Sequence, residues 1–205
     1  MLFDLDGVLV DSRAVVERTW LKWIARHGLV IPDIVRRSHG RRSVDTLREL
    51  APALPIDAEV AWLEATELAD SEGLVALPGA LEAFGGLPDN RCAIVTSGGR
   101  ALARMRLRAT GFPEPTLVVA AEDVRAGKPS PEGYELAAAR LGVDPHECVV
   151  IEDTPAGISA GRAAGAKVLA LATTFPASAL VDADMIVPSL ASIRITQRLD
   201  DIEIE

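Results

Sequence analysis

From residue 78 onward the chain alternates short apolar runs with amphipathic stretches. The runs at 91–96, 117–120, 148–152, 167–171 and 185–187 are rich in β-branched residues and too short for helices, which predicts buried strands. Residues 80–86, 100–110, 131–141 and 155–164 carry helical spacing between them, and a last short helix is expected near 176–181. Unbroken apolar strands separated by helices predict a parallel sheet covered on both faces. Met1-Leu2-Phe3 reads as one more buried strand, ending directly in Asp4. Residues 12–77 follow another pattern, with no strand-like run. After Ser12, a residue suited to capping, Val16, Trp20, Trp23, Ile24 and His27 fall on one helical face, and Gly28 closes the segment. Three further helices are expected at 32–37, 43–50 and 56–70, punctuated by Gly40, Pro52, Pro55 and Gly73. The tryptophan pair reads as core and His27 as a helix-end residue. The expected class is α/β: a doubly wound, Rossmann-like core from 1–11 and 78–205, with an α-helical cap inserted at 12–77. The tail, 193–204, alternates around Leu199-Asp200-Asp201 and suggests a terminal hairpin.

Candidate chemistry collects at the ends of these strands. Asp4 and Asp6 are two apart, so they can converge on one ligand, and Gly7 permits the sharp exit that follows. Two close carboxylates repel unless a divalent cation or a shared proton intervenes. Thr96-Ser97 and Glu152-Asp153 end later strands, and Lys128 lies in the Gly127-Lys128-Pro129 loop before a helix. Ligands of open parallel sheets bind outside these carboxyl ends, so the topology brings the groups to one rim. In isolation, Thr96-Ser97 is as well read as a helix cap, and Lys128 as a solvated loop charge. Together they make a phosphoryl-transfer site. A carboxylate can attack phosphorus, a lysine and a metal can offset the phosphate charge, and Ser97-Gly98-Gly99 can donate hydrogen bonds to phosphate oxygens.

Composition narrows the partners. A chain of 205 residues has room for one α/β core with an insertion, and 49% apolar residues supply it. A net charge of −9 and a pI near 4.9 argue against nucleic acid or a membrane surface as partner. Cys92 and Cys148 sit in apolar runs and read as reduced core residues. No apolar run approaches the length of a membrane span, and the immediate start on a strand leaves no expected signal or transit peptide. A cytoplasmic monomer acting on a small phosphorylated metabolite is the expectation.

Four motifs taken in order resemble the haloacid dehalogenase-like superfamily, in its branch with a helical cap after the first strand. They are Asp4-Leu5-Asp6-Gly7-Val8-Leu9-Val10-Asp11-Ser12, Thr96-Ser97-Gly98, Gly127-Lys128-Pro129 and Glu152-Asp153-Thr154-Pro155-Ala156-Gly157. The resemblance implies that Asp4 is the nucleophile, while Asp6 protonates the leaving oxygen and later activates water. It implies that Thr96 and Lys128 hold the phosphoryl group. It also implies Mg²⁺ on Asp4, the Asp6 carbonyl and Asp153, with Glu152 in support. Residues 38–47, Leu77-Pro78-Gly79-Ala80 and Ala172-Thr173-Thr174-Phe175 are similar to the small sugar- and polyol-phosphate phosphatases of that family. Arg36, Arg37, Arg41 and Arg42 stand out in an acidic chain; the first two are equally compatible with a solvated face. His39-Gly40-Arg41-Arg42 lies at a helix–helix turn, where a cap can reach over the site. His39, Arg41 and Arg42 are therefore expected to contact substrate, Arg42 reading hydroxyls, with Arg41 the alternate.

Other functions fit less well. A phosphotransfer receiver domain lacks the helical insertion and needs no acid–base group at Asp6. A binding protein without activity would be expected to have lost one of the acids, and a dehalogenase needs neither Asp6 nor the Glu152-Asp153 pair. A β-phosphoglucomutase-like enzyme typically offers a cap lysine before the Pro-Gly re-entry, and residues 61–77 contain none. Phosphoglycolate hydrolysis stays open from the core motifs alone.

Overall fold

The computed structural model describes residues 1–198 and 201–204. Its first strand, β1 (Leu2–Phe3), is followed by a tight loop and by β2 (Val10–Asp11). Helices α1 (Arg13–His27), α2 (Ile34–Ser38), α3 (Ser43–Leu50) and α4 (Ile56–Leu68) come next, and β3 (Val75–Ala76) returns the chain. The remainder runs α5 (Ala80–Gly85), β4 (Ala93–Val95), α6 (Arg100–Ala109), β5 (Val118–Val119), α7 (Glu132–Leu141), β6 (Val149–Glu152), α8 (Pro155–Ala163), β7 (Lys167–Leu171) and β8 (Met185–Val187). A terminal pair, β9 (Ile195–Arg198) and β10 (Asp201–Ile204), is antiparallel, as the alternating tail suggested; Leu199 and Asp200 lie outside the described residues.

Six strands form one parallel sheet in the order β5-β4-β1-β6-β7-β8. The chain winds outward from β1 on one side, then crosses back to wind outward on the other, so β1 sits at the switch point where such sheets bind ligands. Alternation along the strands divides the core. Phe3, Ile94, Val118, Ile151 and Leu169 pack under α5 and α6 with Phe84 and Leu107. Leu2, Ala93, Val95, Val150 and Val168 pack under α7 and α8 with Tyr134 and Ile158. Both cysteines are buried and free, in those same layers.

The cap helices enclose their own apolar cluster of Trp20, Trp23, Ile34, Leu47 and Leu63. Trp20 and Trp23 meet edge to face at 5.5 Å, and His27 hydrogen-bonds Glu59 at 2.9 Å rather than reaching the site. Gly28 closes α1 in the left-handed region, at φ 61°.

Several sequence expectations are corrected. Residues 12–77 are not free of strand, because Val75–Ala76 pairs antiparallel with Val10–Asp11 to form a ribbon beside both chain crossings. Two residues are too few to show a period. The run at 91–96 is strand only over Ala93–Val95, with Asp89–Arg91 a turn of 3₁₀ helix, and the segment near 176–181 is likewise only a 3₁₀ turn at Ala177–Ala179. Ser12 precedes α1 but its hydroxyl caps nothing; it donates to Asp6 Oδ1 at 2.7 Å.

Candidate active site

Asp4 continues β1 by one residue: its amide donates to the Ile151 carbonyl at 2.9 Å, which fixes it between β4 and β6 at the sheet's carboxyl edge. The chain then turns sharply. Gly7 has φ 85°, and a Cβ there would collide with the Asp153 carboxylate, so only glycine fits both the bend and the close approach. Thr173 Oγ1 holds the turn by donating to the Gly7 carbonyl at 2.5 Å.

Lys128 is the electrostatic hub. Its Nζ donates to Asp4 Oδ1, to Glu152 Oε1 at 2.6 Å and to the Val95 carbonyl at 3.3 Å. Burial works against the lysine's charge, but Asp4 and Glu152 more than offset it and hold Lys128 well above the usual range. Glu152 is fully buried, and both of its oxygens are taken. Oε1 also accepts from Tyr134 Oη at 2.9 Å, while Oε2 accepts from the amides of Asp153 and Thr154 and from Thr154 Oγ1. Burial pushes this carboxyl up, yet Lys128 and the two amides outweigh burial and keep it below the ordinary range. Glu152 therefore anchors the lysine and the Asp153 loop. Burial also pushes Asp4 upward; Lys128 opposes, Glu152 and Asp6 add to the rise, and the group stands at about 7.

Asp153 is different. Both of its oxygens are buried and neither has a hydrogen-bond partner among the described residues. Burial, with Glu152 and Asp4 beside it, pushes the carboxyl well above its usual value. Oxygens of Asp4, Glu152 and Asp153 lie within 4.8 Å of one another. Three carboxylates against one lysine leave two negative charges unbalanced. A hard divalent cation matches that charge and the all-oxygen donor set, so these residues fit a metal.

The cavity above Asp4, about 90 Å³, is lined from the core by Asp6, Ser97, Gly98 and Asp153 and from the cap by His39 and Arg41. Thr96 and Lys128 stand behind Asp4, bordering a smaller void of about 20 Å³; Thr96 Oγ1 accepts from the Gly98 amide at 3.0 Å. Burial lowers the His39 pKa. Arg41 pairs with Glu49 at 2.7 Å, and Arg37 with the same carboxylate at 2.6 Å. Arg36, by contrast, stands in solvent 3.9 Å from Asp33.

The structure does not bring Arg42 to this cavity. Its Nε and Nη2 clasp Asp45 at 2.7 and 3.0 Å, and its Nη1 and Nη2 donate to the Val124 and Arg125 carbonyls at 3.0 Å. It is a tie between cap and core. Ser97 has a second task of the same kind, donating from Oγ to the Gly40 carbonyl at 2.9 Å. Gly40, at φ 72°, lies so close to Thr154 that a Cβ would come within 2.6 Å of Oγ1.

Sequence reasoning missed two charged residues on the cavity wall, Arg106 of α6 and Glu67 of α4. Arg106 Nη1 lies 2.7 Å from Asp6 Oδ2, and its Nη2 pairs with Glu67. A signal existed. Buried Leu102, Ala103, Arg106 and Leu107 share one helical stripe, so the arginine occupies an apolar position that a solvated charge would avoid.

Comparison with known proteins agrees with this arrangement. Hexitol phosphatase A of Escherichia coli (strain K12) is 42% identical over 205 residues, covering 96% of this chain and 94% of that protein. Glycerol-1-phosphate phosphohydrolase 2 of Saccharomyces cerevisiae (strain ATCC 204508 / S288c) is 34% identical, covering 95% and 83%. A crystal structure of a HAD family hydrolase from Deinococcus radiodurans R1, with bound phosphate and sodium, superposes with a TM-score of 0.68 at 32% identity, covering 93% and 91%. The model of the haloacid dehalogenase-like hydrolases matches residues 1–165, which span the strand bearing Asp4, the Thr96 and Lys128 loops and the Glu152-Asp153 pair. The chain belongs to the haloacid dehalogenase-like hydrolase family.

Proposed function

We propose that the protein is a phosphoric monoester hydrolase that cleaves a small sugar or polyol phosphate through an aspartyl-phosphate on Asp4. The observation that carries this reading is the convergence of Asp4, Lys128 and an unpartnered, buried Asp153 beneath a cavity that also holds Asp6. The activities named for the 42% and 34% identical relatives, and the phosphate in the Deinococcus structure, point the same way.

In the first step an oxygen of Asp4 attacks phosphorus, and the bond to the alkoxide breaks. Lys128, already against Asp4, orients that oxygen and offsets the approaching dianion, while Ser97 and Gly98 line the wall beside which the phosphoryl oxygens would lie. Asp6 gives its proton to the leaving oxygen. In the second step Asp6, now a carboxylate, takes a proton from water as that water attacks phosphorus, which frees inorganic phosphate and restores Asp4. A Mg²⁺ held by Asp4, the Asp6 carbonyl and Asp153 would supply charge neutralisation. Substrate choice falls to His39 and Arg41 on the cap.

Phosphate release should be measured with Mg²⁺ on hexitol, glycerol and glycolate phosphates, with Asp4→Asn alongside. Turnover of the first two and loss of all phosphate release in Asp4→Asn are expected. Preference for glycolate phosphate, or return of the phosphoryl group to sugar instead of water, would overturn the reading.

A further inference from the structure

The two proton transfers assigned to Asp6 need its carboxylate in a fixed place, and the groups that fix it come from three separate segments. Ser12 Oγ holds Oδ1 at 2.7 Å, and Arg106 Nη1 meets Oδ2 at 2.7 Å. The same guanidinium reaches across to the cap through Nη2, which donates to Glu67 Oε2. Arg106 is only 3% exposed and Glu67 6%, so water competes little for this bridge. A guanidinium is planar, and its two terminal nitrogens keep a fixed spacing. Glu67, by holding Nη2, therefore helps to set the direction in which Nη1 faces Asp6.

We propose that Arg106 is a positioning residue for Asp6, held in its own place by Glu67 of α4. This rests on the acid–base reading of Asp6. Without that hold Asp6 loses its orientation, so the two steps that pass a proton through it slow, while departure of a group that needs no proton does not.

The test is single-turnover kinetics of the Mg²⁺-loaded protein. It follows alcohol release from a hexitol phosphate, which needs a proton, and the burst of p-nitrophenolate, which leaves without one. Arg106→Met should slow hexitol release at least about 10-fold, the scale of acid–base assistance, and change the p-nitrophenolate burst by no more than about 3-fold. Arg106→Lys should recover part of that loss. Because Arg106 acts through Asp6, the double variant Asp6→Asn/Arg106→Met should be no slower than Asp6→Asn. Glu67→Gln should slow hexitol release by about 3- to 10-fold, and should add nothing in the Arg106→Met background. Arg106→Met leaves Glu67 buried without its cation, so Arg106→Met/Glu67→Gln serves as a second, better folded variant and should show the same split between substrates. Equal losses on both substrates, multiplicative losses in the Asp6 double variant, or no loss would each overturn the proposal. Full turnover by Asp6→Asn would sink the acid–base reading and this proposal with it, whereas failure at Arg106 alone leaves that reading standing.

Discussion

Replacing Arg42 by alanine separates two ways in which a cap arginine can matter. Its clasp on Asp45 is internal to the cap. Only the two bonds to the Val124 and Arg125 carbonyls cross to the core. Hydrogen bonds from a charged donor contribute roughly 1.5–3 kcal/mol each, an upper bound of about 3–6 kcal/mol for the pair. Residues 124 and 125 are half-buried and exposed, so both carbonyls regain water when the cap lifts, and the net loss falls below that bound. A loss of about 2–3 kcal/mol shifts the seated-to-lifted balance roughly 30- to 150-fold. Arg42→Ala should therefore lower kcat/KM by about 10- to 100-fold on a hexitol phosphate, glycerol phosphate and p-nitrophenyl phosphate alike, with ratios between substrates held within about 3-fold. Arg41→Ala, whose side chain borders the cavity, should instead change those ratios. If Arg42→Ala spares the aryl phosphate and harms only hydroxylated substrates, the guanidinium reads hydroxyls and the tie is incidental.

Asp153→Asn should abolish turnover and yet raise the melting temperature of the metal-free protein, because it removes a buried carboxyl that is costly to ionise beside Glu152 and Asp4. Scanning calorimetry in chelator decides this, and Mg²⁺ should stabilise the wild type but not the variant. Gly157→Ala would drive a methyl group into the Glu152 carboxylate, so a loss of roughly 3 kcal/mol or more in urea unfolding is expected; a loss below about 1 kcal/mol would refute the packing argument. His39 is held below its ordinary value of 6.5 by burial, so just below that pH the unfolded chain binds more protons than the folded protein. Stability should accordingly fall as pH drops through 6.5, and the fall should be shallower in His39→Gln; parallel curves would remove His39 from that loss.

The core chemistry was legible in the sequence because parallel strands leave little choice. Asp4, Thr96 and Glu152-Asp153 follow apolar runs, and the ends of adjacent parallel strands share one edge, so three separate segments had to meet. Lys128 needed only a loop at that edge. The cap offered no such constraint. Arg41 and Arg42 are neighbours in sequence, and nothing in their residue types tells which one turns toward the cavity and which toward the 124–125 loop. Packing of α3 against α4 and the closeness of Gly40 to Thr154 decided that, and both are tertiary facts.

Charged residues on apolar stripes carry more information than charge runs do in this chain. Four arginines lie on α6: Arg100 pairs with Asp123, Arg104 with Glu114, Arg108 is exposed, and only Arg106 falls in line with Leu102, Ala103 and Leu107. On α4 the buried positions Glu59, Leu63 and Glu67 recur every four residues, so two glutamates occupy an otherwise apolar seam. A charge placed there must find a partner or be neutralised, which makes the stripe position a statement about an unseen counter-charge. Its meaning still depends on location. Glu59 is satisfied within the cap by Trp23 Nε1 at 2.8 Å and His27 at 2.9 Å, a purely internal network. Glu67, two turns further along the same face, meets the core arginine that holds Asp6. The same pattern thus knits the cap together at one end and ties it to the acid–base carboxylate at the other.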